Sequence, residues 1–171
     1  SYLRLPHPSG IAVDHRAAAV HIASTRNPNQ VFEFRPARLP GGPLVPVTAR
    51  FYPGSFYLHD LAFIGRDLYA NTVGRNAVTR LGPGSRTTVA WWPRCVERRG
   101  RPVLERNHIQ LNSIAAGRTL RQSFFTASAD RMTTLRPGHP DFPVDGRGVV
   151  FSGATRRPVV CGLTRPHSAR L

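Results

Sequence analysis

The stretch Leu58-His59-Asp60-Leu61-Ala62-Phe63 decides the fold, because it returns. Upstream it is matched by Pro8-Ser9-Gly10-Ile11-Ala12-Val13. Downstream it is matched by Leu111-Asn112-Ser113-Ile114-Ala115-Ala116 and then by Pro166-His167-Ser168-Ala169. Aligning Ser9, His59, Asn112 and His167 gives steps of 50, 53 and 55 residues. A second run succeeds each complete start: His21-Ile22-Ala23-Ser24-Thr25, Leu68-Tyr69-Ala70-Asn71-Thr72 and Phe124-Phe125-Thr126-Ala127-Ser128. Third runs come next, at Gln30-Val31-Phe32-Glu33-Phe34, Ala77-Val78-Thr79-Arg80-Leu81 and Met132-Thr133-Thr134-Leu135. Outer runs close the units at Val47-Thr48-Ala49-Arg50-Phe51, Thr87-Thr88-Val89-Ala90-Trp91 and Gly148-Val149-Val150-Phe151. Sixteen Pro and fifteen Gly punctuate these short apolar runs, a pattern that predicts strands and leaves little room for amphipathic helices.

Four strands in a recurring unit of roughly 40–50 residues describe the blade of a β-propeller. A lone four-stranded sheet cannot bury both faces, whereas stacking on its neighbours does so. The small residues Gly10, Ala12, Ala62, Ala115 and Ala116 fall on the innermost strands, where converging blades leave the least space. The expected fold class is therefore all-β: a partial β-propeller of about three four-stranded blades plus the first strand of a fourth. One domain spans 1–171, with blade units at 9–52, 59–93 and 112–161 and the start of the next blade at 166–171. The connections 35–46, 94–110 and 136–147 read as long loops on a propeller face, a length that is usually functional or mobile. Propellers close with about four to eight blades, so this ring needs a missing C-terminal half or a second copy. A stop inside a blade favours the fragment.

The 171 residues carry a formal net charge of +15, and all 24 basic residues are Arg. Such a charge suggests nucleic acid or an anionic membrane. The Arg residues are scattered, however, with tight groups only at Arg98-Arg99 with Arg101 and at Arg156-Arg157. No aromatic ladder accompanies them, as a single-strand binder requires, so a solvated basic surface is the reading and nucleic acid is set aside. No apolar stretch approaches the roughly 20 residues of a membrane span, and no signal-peptide pattern opens the chain. Cys95 and Cys161 form no CxxC pair and so no structural zinc knuckle. Two half-buried thiols in a reducing cytosol are favoured slightly over one disulfide in an exported protein.

The segments Pro8 to Val13, Ser24-Thr25-Arg26-Asn27 with Val31-Phe32-Glu33-Phe34, His59 to Phe63, Leu111 to Ala115 and Pro166-His167-Ser168 resemble an uncharacterised bacterial family of conserved hypothetical propeller proteins. The resemblance spans essentially the whole chain. It implies a longer protein, of which this chain is the N-terminal half, and carries no activity with it. More distantly, the blade pattern is similar to the gluconolactonase and strictosidine-synthase-like propellers. That likeness implies polar residues at the inner-strand starts, where many such propellers hold a divalent metal. The aligned positions here lack the acidic ligands usual in that group.

The starts of the inner strands face one mouth of the central channel, so His59, Asn112 and His167 are expected to converge there. Two imidazoles and an amide are a donor set for a divalent transition metal, since imidazole favours zinc, copper, iron or nickel over calcium. Asp60, or His108 from the preceding loop, is placed to assist. The plainer alternative is a ring of polar side chains bonding to water and to neighbouring blades. His15, next to Asp14, reads as turn chemistry, and Trp91 and Trp92 as packing residues. No serine sits in a GxSxG elbow and no phosphate-cradling Gly loop is present. The sequence thus supports two function classes. One is a binding or scaffold propeller for a small-molecule or protein ligand. The other is a metal-dependent hydrolase or lyase centred on His59, Asn112 and His167.

Overall fold

Neighbouring side chains on a strand point to opposite faces, and in the middle repeat both faces are apolar. In the computed structural model, which describes residues 3–25, 29–37 and 41–171, that repeat is the central one of three stacked sheets. The first sheet runs β1 (Pro8–Asp14), β2 (Ala19–Ser24), β3 (Gln30–Pro36) and β4 (Leu44–Phe51). The second runs β5 (Leu58–Ile64), β6 (Asp67–Thr72), β7 (Ala77–Leu81) and β8 (Thr87–Trp91). A two-stranded ribbon, β9 (Glu97–Arg98) and β10 (Arg101–Pro102), sits in the connection to the third sheet. The third sheet comprises β11 (Leu111–Ala115), β12 (Phe124–Ala127), β13 (Gly148–Ser152) and β14 (Pro158–Leu163). Each four-stranded sheet is an antiparallel meander in chain order, and β5 packs against β1 on one side and β11 on the other. The protein is thus all-β, with three four-stranded blades arranged as in a propeller and no closed barrel.

Two cores hold the blades together. Between the first and second sheets lie Ala12, Ala23, Val31, Leu58, Leu61, Leu68 and Ala70. Between the second and third lie Tyr69, Val78, Trp91, Leu111, Ile114, Phe125 and Phe151. β6 serves both, sending Leu68 and Ala70 one way and Tyr69 the other. Trp91 packs on Phe125 with ring centroids 4.1 Å apart and donates its indole N–H to the Gly153 carbonyl at 3.1 Å. The inner strands approach closely: a Cβ at Gly10 would overlap the backbone of Asp60 and Leu61. Ile11 and Val13, on the opposite face of β1 from Ala12, are exposed, as are Leu44, Val47 and Phe51 of β4.

The third blade departs from the expected strand order. Met132 to Leu135 form no strand and belong to the connection between β12 and β13. The run Gly148 to Phe151, expected on the outside, lies in the third strand, whose Val149 to Ser152 pair with Phe124 to Ala127. The outer strand is Pro158–Leu163. Val149 and Phe151 anchor this arrangement by entering the core beside Trp91, whereas Thr133 and Thr134 have no apolar face to bury. Residues 166–171 occupy the side of the third blade expected for a further inner strand, but they join no ladder. Side chains of that blade, Asn112 and Ser113, hold them instead. Arg26 and Asn27, in the second-strand segment of the first repeat, lie outside the described residues.

Gly10→Ala is expected to lower stability by about 1–3 kcal/mol or more, the range for overpacking a tight interior. Urea denaturation monitored by tryptophan fluorescence measures it. Stability within error of the native protein would show that the first two blades do not approach this closely.

Candidate functional site at the mouth of the inner strands

Each inner strand carries an extra residue at the position where the repeats align. Between β1 and β2 the register passes from Pro8 opposite Ser24 to Ile11 opposite Ile22, so Ser9 and Gly10 face one residue. Between β5 and β6 it passes from Leu58 opposite Thr72 to Leu61 opposite Ala70, leaving His59 and Asp60 against Asn71. Between β11 and β12 the extra residue is Asn112. Such bulges re-aim the side chains they carry.

The redirected side chains tie each blade to the next segment of the chain. Ser9 donates its hydroxyl to the Leu58 carbonyl at 2.7 Å. The Nδ1 of His59 lies 3.1 Å from the Asn112 carbonyl. A carbonyl only accepts, so this bond requires the proton on Nδ1, and in the neutral ring Nε2 then keeps its lone pair. Asn112 continues the series, donating from Nδ2 to the Pro166 carbonyl and to Ser128 Oγ, both at 3.0 Å. The Pro166 carbonyl fixes the orientation of the amide, and Asn112 Oδ1 is buried with no partner. Ser113 Oγ accepts the Ala169 amide at 2.9 Å, completing the attachment of residues 166–170.

Asp60, the second bulged residue of β5, is buried beneath this series. One oxygen accepts the Leu61 amide at 3.0 Å, and the other accepts the Ile114 amide of β11 at 2.9 Å. Arg170 closes on both oxygens, at 3.0 and 3.3 Å. The carboxylate therefore joins the second blade, the third blade and the C-terminal segment at one point.

His59, Asn112 and His167 do come together. They line one cleft of about 310 Å³ with Ser9, Ser113 and Ser168, and the His59 and His167 rings stand 5.5 Å apart between centroids. Burial, then the neighbouring His59 and Arg165, hold the His167 imidazole below its usual pKa, so it is neutral at neutral pH. Through His59 and Thr25 the cleft opens into a wider groove of about 820 Å³ under the connections 94–110 and 130–147. Arg106 and Arg136 line this groove and make no side-chain ion pair or hydrogen bond among the described residues, while Glu105 is the acidic group nearby. His108 does not join the mouth; its Nδ1 lies 3.1 Å from the Thr133 carbonyl. Among the described residues no three His, Cys, Asp or Glu side chains gather in a way that could hold a metal ion. Both cysteines are free thiols, and burial pushes the Cys95 thiol up to about 12.

Two positioning residues, Asn29 and Asn76, escape the sequence reading. Each stands one residue before a third strand. Asn29 accepts the Tyr57 amide at 3.0 Å, and Asn76 accepts the His108 and Ile109 amides at 2.7 and 3.3 Å. Asn76 also donates to the Val103 and Arg106 carbonyls. Each Asn thus pins the chain just ahead of the next inner strand, and so places His59 and Asn112. Their shared position before Gln30-Val31 and Ala77-Val78 is the signal that could have found them.

Asp60→Ala leaves the Ile114 and Leu61 amides without an acceptor in a buried setting, which is expected to cost about 2–3 kcal/mol. Arg170→Ala is expected to cost about 1 kcal/mol or less, because the Arg170 side chain is 54% exposed against 6% for Asp60. Chemical denaturation of the two variants measures the difference, and equal losses would show that the ion pair, not the amide bonds, dominates.

Among the described residues no helix is long and apolar enough to cross a membrane, and no curated protein matches the chain. A family model described as a domain of unknown function, DUF4915, matches residues 3–171, and the chain belongs to that family.

Proposed function

We propose that the protein is a ligand-binding propeller module whose mouth receives a small polar anion. The observation that carries this reading is the continuity of the His59–Asn112–His167 cleft with a groove lined by two arginines, Arg106 and Arg136, that no side chain neutralises among the described residues. The blade-to-blade bonds use His59 Nδ1 and Asn112 Nδ2; the neutral His59 ring keeps an Nε2 lone pair for a hydroxyl of the guest, whose anionic group belongs in the groove. His167 is uncharged at neutral pH, so it offers hydrogen bonding, while the net positive charge comes from the groove. A concave site with a few convergent polar groups is the usual form of a small-molecule site. Guanidinium groups favour carboxylate or phosphate partners.

The metal-dependent hydrolase or lyase is the weaker reading. Its donors at the mouth are two imidazoles and one amide. The adjacent carboxylate, Asp60, is already shared between Arg170 and two backbone amides.

The test is a thermal-shift screen of small carboxylates and phosphates at constant ionic strength, with neutral analogues of equal size beside them. At least one anion is expected to raise the melting temperature of the native protein. Its affinity is expected to fall by about tenfold or more in an Arg106→Gln, Arg136→Gln variant, the loss corresponding to a charged hydrogen bond. Equal stabilisation by the neutral analogues, or an undiminished shift in the variant, would refute the reading.

A further inference from the structure

The inner strands that begin at the mouth end at a second recess. β1 runs from Pro8 to Asp14 and β5 from Leu58 to Ile64. Beyond these ends, between the first and second blades, lies a hollow of about 290 Å³. A smaller one of about 160 Å³ adjoins it through Asp14, Phe63 and Arg66. Five arginines line the two hollows, Arg16, Arg35, Arg50, Arg66 and Arg80, against three acidic residues, Asp14, Glu33 and Asp67.

The carboxylates are already engaged. Asp14 accepts the backbone amides of Arg16 and Ala17 at 2.9 and 3.1 Å. Asp67 pairs with Arg80 at 2.8 Å. Glu33 takes Arg35 at 2.8 Å and Arg50 at 3.5 Å, two cations on one anion. Arg66 has no side-chain ion pair or hydrogen bond among the described residues. The recess therefore holds excess positive charge on more than one wall.

His21 supplies a donor of a different kind. It is only 5% exposed and sits edge-on to Phe63, with ring centroids 5.4 Å apart. Its Nδ1 is sealed from solvent with no partner. A proton there would bury an unsatisfied donor, which costs more than an unsatisfied lone pair. Burial also holds the ring below its usual pKa, against the nearby Glu33 and Asp14 carboxylates and together with Arg50 and Arg35. The neutral tautomer is therefore the one with the proton on Nε2, the ring nitrogen that is not sealed, on a residue that lines the hollow.

We propose that this recess is a phosphate-binding site, with Arg66 and Arg50 as its cationic contacts and His21 Nε2–H as a neutral donor. The donors come from β2, β4 and the β5–β6 turn. Donors on separate walls suit an anion with several oxygens better than a single charge. Inorganic phosphate and a phosphate monoester share this chemistry.

The experiment uses the whole protein with ¹⁵N-labelled histidine, titrated with inorganic phosphate and, in parallel, with glycerol phosphate. Ionic strength is held constant with chloride near neutral pH. The His21 resonances are identified by their loss in His21→Gln. Saturable movement of the His21 signals is expected, and Arg66→Gln is expected to weaken it without altering any movement of the His59 and His167 signals at the mouth, which lies at the other end of the inner strands. Affinity is expected to fall at least about fivefold in Arg66→Gln, whose side chain makes no ion pair or hydrogen bond among the described residues. Tighter binding of the ester would assign the site to phosphorylated ligands, and equal binding to free phosphate. Unmoved His21 signals with both probes, or an affinity unchanged in Arg66→Gln, would overturn the proposal.

Discussion

A carboxylate sealed between two sheets must have its lone pairs occupied, and Asp60 meets that demand by reaching across the seam. Its two oxygens take an amide from its own strand, an amide from β11 and the guanidinium of Arg170. A residue in the regular ladder could not make these bonds, because pairing would hold its side chain normal to the sheet. The bulge at His59 and Asp60 supplies the freedom. The same device in β1 and β11 gives Ser9 and Asn112 their reach. The blades are thus joined twice over, by apolar faces below and by a polar series along the mouth. The second joint is directional, fixing register where the first is indifferent to it.

That arrangement explains why the mouth is both structural and available. Ser9, His59 and Asn112 each spend one polar atom on the next segment. Imidazole has a second polar atom, and in His59 it is this Nε2 that remains for a guest, whereas the second polar atom of Asn112, Oδ1, is buried. Serine has one polar atom, which donates to the next segment and can still accept. The chemical asymmetry of the mouth therefore depends on which residue each repeat places at its bulge. The opposite ends of the strands show the converse pattern, in which ion pairs among Glu33, Arg35 and Arg50 replace backbone bonds.

The repeat of about fifty residues makes the blades legible in the sequence, since the aligned starts at Ser9, His59 and Asn112 sit at equivalent bulges. Convergence of His59, Asn112 and His167 is legible from the same alignment. The strand order of the third blade is not, because Met132 to Leu135 mimics a strand in composition, yet only Met132 packs against the core, from a connection that joins no ladder. Pro158 to Leu163, by contrast, is an exposed edge whose pairing with β13 only the tertiary fold reveals. Asn29 and Asn76 are hidden for another reason. Their role is to hold backbone amides of a distant connection, and each Asn taken alone reads as an ordinary turn residue; only their shared position before the third strands marks them. Nor does the sequence foretell that Asp60, beside His59, is satisfied from Arg170, 110 positions away.

If the polar series along the mouth is as drawn, His59 commits its Nδ1 proton to the third blade and turns Nε2 toward the mouth. Nitrogen-15 NMR of the histidine ring reads this directly, since protonated and unprotonated ring nitrogens resonate far apart. Neutral His59 is expected to carry its proton on Nδ1, with the Nδ1–H signal protected from exchange with solvent. A proton on Nε2, with Nδ1 bare, would contradict this: the bond to the Asn112 carbonyl would not exist, and the mouth would lack the acceptor assigned to it.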